Sequence, residues 1–299
     1  MCGIVGLHLR EPSLYPRLGE LLTGMLCQVS ERGPDSAGVA VYGDPRMSPP
    51  GRATVSLLTG SLTPDDVATR LGSALPGTAP AVVDAGQTLV VNAATTSEEL
   101  VAAAKRVLPE SLVIGFGSDL AVLKGVGHPQ TLAAEFGLAR AEGWQGVAHT
   151  RMATESAVTP AHCHPFSVGP DQCLVHNGSF ANHATIRREL VAGGSVFDSD
   201  NDSEVGARFV AAQLAAGYDL EKSLKLLCER FDGFYTLLVS TRDSFAVVRD
   251  AVACKPAVIA ETPQWVAMAS EYRALAGLPG VESARIFEPE PEEVYAWQR

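Results

Sequence analysis

Apolar and polar positions along the chain alternate between two periods. Residues 5–9 read as a buried strand with Cys2 at its mouth, and Leu18, Leu21, Leu22, Met25, Leu26 and Val29 recur at helical spacing. Residues 31–38 form a loop by their Gly and Pro content, leading into a strand over 39–42 and a Pro-rich exposed turn over 44–51. From 53 to 138 the pattern changes. Strands at 54–58, 88–92 and 112–117 alternate with a helix opened by Pro64-Asp65-Asp66 and another over 98–108, and residues 71–80 are the loosest part. That alternation predicts a small α/β insertion. Strands resume at 147–150 and 173–176, and helices follow at 184–192, 203–215 and 220–231. Residues 234–269 are a run of β-branched and apolar strands, followed by a helix over 272–278. The pattern predicts an α+β layered domain over 1–287, with 288–299 as an acidic tail.

Composition narrows the class. The chain has 299 residues, 46% hydrophobic and 19% charged, which supplies a sizeable core and argues against disorder. A net charge of -11 without a basic cluster argues against a nucleic-acid partner. Six widely spaced cysteines contain no CxxC, so neither a disulfide framework nor a zinc ribbon is expected, and no metal is assigned. No basic-then-apolar leader opens the chain, and no apolar run approaches the roughly 20 residues that span a bilayer. A cytoplasmic protein that does not enter a membrane is the expectation. Without a GxGxxG after a strand or a phosphate loop, no cofactor is expected either.

The run Cys2-Gly3-Ile4-Val5-Gly6 carries the first chemical signal. Initiator Met is removed when a small residue follows, which would leave a cysteine bearing both a thiol and a free α-amine. A free α-amine titrates at about 8 and a free thiol at roughly 8.5. The amine can therefore take the thiol proton, and nucleophile and base sit on one residue. A small apolar residue entering a buried strand is the plainer reading of Cys2.

Further motifs change that balance. They are Arg32-Gly33-Pro34-Asp35-Ser36-Ala37-Gly38, Ala148-His149-Thr150-Arg151-Met152-Ala153-Thr154, His162-Cys163-His164-Pro165-Phe166, Val175-His176-Asn177-Gly178 and Asp200-Asn201-Asp202-Ser203-Glu204. Asn177 offers a side-chain NH2 and Gly178 an unhindered backbone N–H, the donors that a developing oxyanion needs. Arg151 can clamp a carboxylate bidentately, and Asp202 can bind an ammonium. Each has a plainer reading as well. Asn177-Gly178 is a two-residue hairpin signal, and Asp202 or Ser203 can cap the helix that follows.

In this order, with cysteine at position 2, the motifs resemble the class II glutamine amidotransferases. The resemblance covers residues 1–51 and roughly 140–280, and it implies the αββα N-terminal-nucleophile hydrolase sandwich. It implies Cys2 as nucleophile and Asn177 and Gly178 as the oxyanion pair. Arg151 would hold the glutamine α-carboxylate and Asp202 the α-ammonium, with Arg32 positioning the nucleophile and His164 and Thr154 completing the pocket. Met152 and Glu155 differ from the sugar-transaminating members, which usually have Trp and His there. The insertion resembles free-standing amidotransferase subunits of glutamate-synthase-like enzymes, N-methylglutamate synthase being the nearest comparison. The resemblance therefore implies L-glutamine as substrate and a separate ammonia-accepting, flavin-containing synthase subunit as partner. A glutamine-sensing pseudo-enzyme and a hydrolase of another amide are the alternatives.

Overall fold

The computed structural model describes residues 2–152 and 158–299. In chain order the first half contains β1 (Gly3–Leu9), α1 (Leu18–Gln28), β2 (Ser36–Tyr42), β3 (Ala53–Leu58) and α2 (Pro64–Ala74). It continues with β4 (Ala81–Ala85), β5 (Thr88–Ala93), α3 (Ser97–Val107), β6 (Leu112–Gly117), β7 (Leu120–Val126) and α4 (Pro129–Glu135). The second half contains β8 (Gln145–Arg151), β9 (Gln172–Phe180), α5 (His183–Ala192), α6 (Asp202–Ala215) and α7 (Leu220–Arg230). Six strands close it: β10 (Gly233–Thr241), β11 (Ser244–Arg249), β12 (Val258–Glu261), β13 (Trp265–Ala269), β14 (Arg285–Phe287) and β15 (Tyr295–Gln298).

Among the described residues these strands make three sheets. One runs β14-β12-β13-β1-β8-β2-β7, the second β15-β11-β10-β9, and the third β4-β5-β3-β6. The two-residue period of β1 shows how the first two sheets stack. Val5, Leu7 and Leu9 face α1, where Leu18, Leu22, Met25 and Leu26 meet them. Ile4 faces the other way, into a cluster with Val175, Leu238 and Phe245 of the second sheet. The outer face of that second sheet presents Leu174, Leu237 and Val239 to Ile186, Phe209 and Leu224 of α5–α7. The result is helix, sheet, sheet, helix: the α+β, four-layer αββα sandwich. No helix among the described residues is long and apolar enough to cross a membrane.

Local chemistry sets the helix starts. Thr63 and Asp66 form a reciprocal capping box before α2, with Pro64 in its first turn. Thr96 and Asp219 cap α3 and α7 by accepting from backbone N–H groups. The helix expected over 272–278 is reduced to a 3-10 turn, Tyr272–Ala274. Gly277 and Pro279 follow at once and do not support another α turn.

Residues 53–117 fold around their own core, with Val55, Leu57 and Val91 packed under Val67, Leu71, Leu100 and Ala104. Residues 120–138 instead extend the main sandwich: β7 pairs with β2, and Leu132 and Phe136 join the core beneath α1. The stretch expected as a tail ends in β15, paired with β11. β7 is an edge strand, whose outward backbone groups would otherwise lack partners. Side chains of the insertion meet them. Val122 N donates to Ser56 Oγ at 2.9 Å and Val126 N to Gln87 Oε1 at 2.9 Å. Thr88 Oγ1 accepts from Lys124 N at 3.0 Å and donates to Lys124 O at 3.1 Å.

Thr88→Val should therefore strand a buried N–H and C=O and destabilise the fold by about 1–3 kcal/mol. Equilibrium urea unfolding reads this directly, and an unchanged midpoint would contradict the docking role.

Candidate active site

Cys2 is half-buried and sits just ahead of β1, between β13 and β8. Side chains hold the start of the strand. Gly3 N donates to Thr150 Oγ1 at 3.2 Å, and Ile4 N to Ser270 Oγ at 2.9 Å. The Cys2 carbonyl accepts from Arg32 Nε at 3.0 Å and from Asn177 Nδ2 at 3.3 Å. Arg32 is itself fastened to Glu271 Oε1 at 2.7 Å. That hydrogen bond is the main reason the Glu271 carboxyl lies below its ordinary value.

In front of Cys2 opens a cleft of about 410 Å³. Arg151 and Met152 wall it from the end of β8, and His176, Asn177 and Gly178 from β9. Asn201, Asp202 and Ser203 enter at the start of α6, with His164 and Lys255 completing the wall. Arg32 stands behind Cys2, on its carbonyl, and is not part of this wall. Thr154 and Glu155 lie outside the described residues.

Asn177 and Gly178 are not a hairpin turn. They lie inside β9, opposite Thr236 and Tyr235 of β10. Gly178 has φ 141°, and a Cβ there would overlap the Phe234 carbonyl oxygen, so the position demands glycine on two counts. One N–H of the Asn177 amide is used on Cys2; its second remains for a group in the cleft. Asn201, not Asp202 or Ser203, caps α6, its Oδ1 accepting from Ser203 N at 2.9 Å. Asp202 Oδ2 accepts from Phe180 N at 2.8 Å.

The cleft thus carries cations at Arg151 and Lys255 and an anion at Asp202, beside a thiol. A zwitterion matches that charge pattern. Sequence reasoning had missed Lys255, which stands between Cys254 and Pro256 in a loop without periodic pattern. It had also missed Glu271 and Ser270, whose contacts reach 239 and 266 residues along the chain.

Beside these charges the site is neutral. The His149 and His164 rings meet tilted at 4.1 Å, and His176 stacks on Phe180 at 4.4 Å. Burial pulls His149 down to about 3 and His176 to about 4, the latter partly offset by Asp202. Burial likewise holds His164 well below its ordinary value, with His149 and His176 adding to the effect. Among the described residues, no group of three or more His, Cys, Asp or Glu is disposed to hold a metal ion.

These imidazoles bind fewer protons folded than unfolded, so their stabilisation is complete above the ordinary histidine value of 6.5 and is lost as pH falls toward 4 and 3. Each should cost roughly a tenfold drop in the folded-to-unfolded ratio per pH unit in that window. His149→Gln, which keeps an N–H donor, should flatten the fall in urea midpoint between about pH 6 and 5. Equal slopes in variant and parent would contradict the buried neutral state.

Comparisons with known proteins identify the family. A family model described as a glutamine amidotransferase domain matches residues 149–277. The glutamine amidotransferase-like protein GlxB of Rhizobium meliloti is 45% identical over 99% of this chain and 98% of its own length. A putative glutamine amidotransferase of Methanothermobacter thermautotrophicus is 28% identical over 99% of both chains. Among solved structures, the glutamine phosphoribosylpyrophosphate amidotransferase of B. subtilis superposes with a TM-score of 0.61 at 17% identity, a likeness of fold. It covers 99% of this chain, which spans 49% of that structure's length. With a relative of 45% identity matched over nearly its whole length, the chain belongs to the glutamine amidotransferase family.

Proposed function

We propose that the protein hydrolyses L-glutamine to glutamate through a thioester on Cys2 and passes the ammonia to a separate, flavin-containing, glutamate-synthase-like subunit such as that of N-methylglutamate synthase. The observation that carries the reading is that Cys2 shares one cleft with Arg151, Asp202, Asn177 and Gly178. Ammonia released in such a cleft needs a consumer, and the resemblance of the sequence to glutamate-synthase-like subunits supports one of that class.

The mechanism follows from those positions. Removal of Met1 exposes the Cys2 amine, which takes the thiol proton. Arg151 pairs with the α-carboxylate and Asp202 with the α-ammonium, leaving the side-chain amide against the sulfur. The thiolate forms a bond to the amide carbon, and the negative charge moves to its oxygen, where Asn177 and Gly178 donate. Collapse breaks the carbon–nitrogen bond, and the Cys2 ammonium protonates the leaving nitrogen to release ammonia. Water, deprotonated by the same amine, then adds to the thioester. Expulsion of the thiolate gives glutamate.

Cys2→Ala should lower kcat for ammonia release from L-glutamine by at least roughly a thousandfold. Near-normal turnover in that variant would overturn the assignment. Arg151→Ala should act chiefly on KM, raising it about tenfold or more, as expected for a lost charged hydrogen bond. An unchanged KM would remove Arg151 from the substrate site.

A further inference from the structure

Ser203 stands at the junction of the charged and neutral parts of the site. It is buried, and its hydroxyl has three polar neighbours: His164 Nε2 at 2.9 Å, His176 Nδ1 at 2.8 Å and Asp202 Oδ1 at 3.3 Å. A hydroxyl has one proton to give, and a carboxylate can only accept. Where that proton goes is decided by the histidines.

Each neutral imidazole has one N–H and one bare nitrogen. His149 Nε2 faces the His176 carbonyl at 3.2 Å, so its proton is on Nε2. Among the described residues, His149 Nδ1, His164 Nδ1 and His176 Nε2 are buried without a hydrogen-bond partner. A buried bare nitrogen is tolerated better than a buried N–H with nowhere to donate. The low-cost arrangement therefore puts the His164 proton on Nε2 and the His176 proton on Nδ1, both donating to Ser203 Oγ. The Ser203 hydroxyl must then turn its own hydrogen toward Asp202. Burial, which keeps all three rings neutral, holds this arrangement in place.

We propose that Ser203 is a positioning residue: driven by His164 and His176, it donates to Asp202 Oδ1 and fixes the carboxylate that receives the substrate ammonium. Phe180 N holds the other oxygen at 2.8 Å, so the two donors lock the carboxylate plane and leave lone pairs for the cleft. The proposal rests on the glutaminase reading above for its substrate, although the hydrogen-bond directions stand without it.

The test combines kinetics with histidine NMR. Ser203→Ala should raise KM for L-glutamine about tenfold while kcat changes by less than about threefold, because a second donor to the binding carboxylate is lost. Ser203→Thr, which keeps the hydroxyl, should recover most of the loss. In the unsubstituted protein at neutral pH, long-range proton–nitrogen spectra should show His164 protonated at Nε2 and His176 at Nδ1. The opposite tautomer at either ring overturns the proposal, even if Ser203→Ala fails to fold. So does an unchanged KM in folded Ser203→Ala, or a loss that threonine does not recover. Were the unsubstituted protein to release no ammonia from glutamine, the glutaminase reading would fail, and the two tautomers alone would decide for or against Ser203.

Discussion

The grip on the Cys2 carbonyl is the constraint on which the rest of the site depends. A residue just ahead of a strand has no ladder of its own and is poorly ordered unless it is tied down. Here Arg32 and Asn177 hold the Cys2 carbonyl, while Thr150 and Ser270 take the next two N–H groups. The four side chains come from the loop after α1, from β9, from β8 and from just beyond β13. Both central sheets are thus required to hold one residue. The layered fold does more than shelter the site; it converges separate strand ends on the position before β1.

Burial divides the site electrostatically. Toward the cleft stand Arg151, Lys255 and Asp202, where a zwitterion can pair. Beside them three neighbouring histidines are kept uncharged by desolvation. Neutral rings next to Arg151 avoid adding positive charge to a wall that already has it. They also give each ring a single N–H, so the hydrogen-bond directions around Ser203 follow from counting. The cost is lower stability in acid, the usual consequence of burying histidine.

Much of this was legible from sequence, and the exceptions have physical causes. β1, β3, β5 and β6 and helices α1–α3 and α5–α7 announced themselves through period and caps. β4 is short and half-exposed, and α4 has seven residues, too little pattern to read. Residues 120–126 fall within the insertion expected over 53–138, whereas as β7 they pair with β2. Asn177-Gly178 carried a local turn signal that its pairing with β10 overrides. The polar residues Cys2, Arg151, Asn177 and Asp202 stood out because their chemistry recurs in short motifs. Ser270, Glu271 and Lys255 act through contacts with distant segments, and nothing beside them in sequence marks them.

The central claim is that Cys2 becomes a processed, glutamine-shaped nucleophile. The most direct measurement is the intact mass of the purified protein before and after 6-diazo-5-oxo-L-norleucine, with the modified residue located by peptide mapping. The account predicts loss of Met1 and one covalent adduct, on Cys2. A protein that has lost Met1 yet takes up no label, or takes it up on another cysteine, would contradict it.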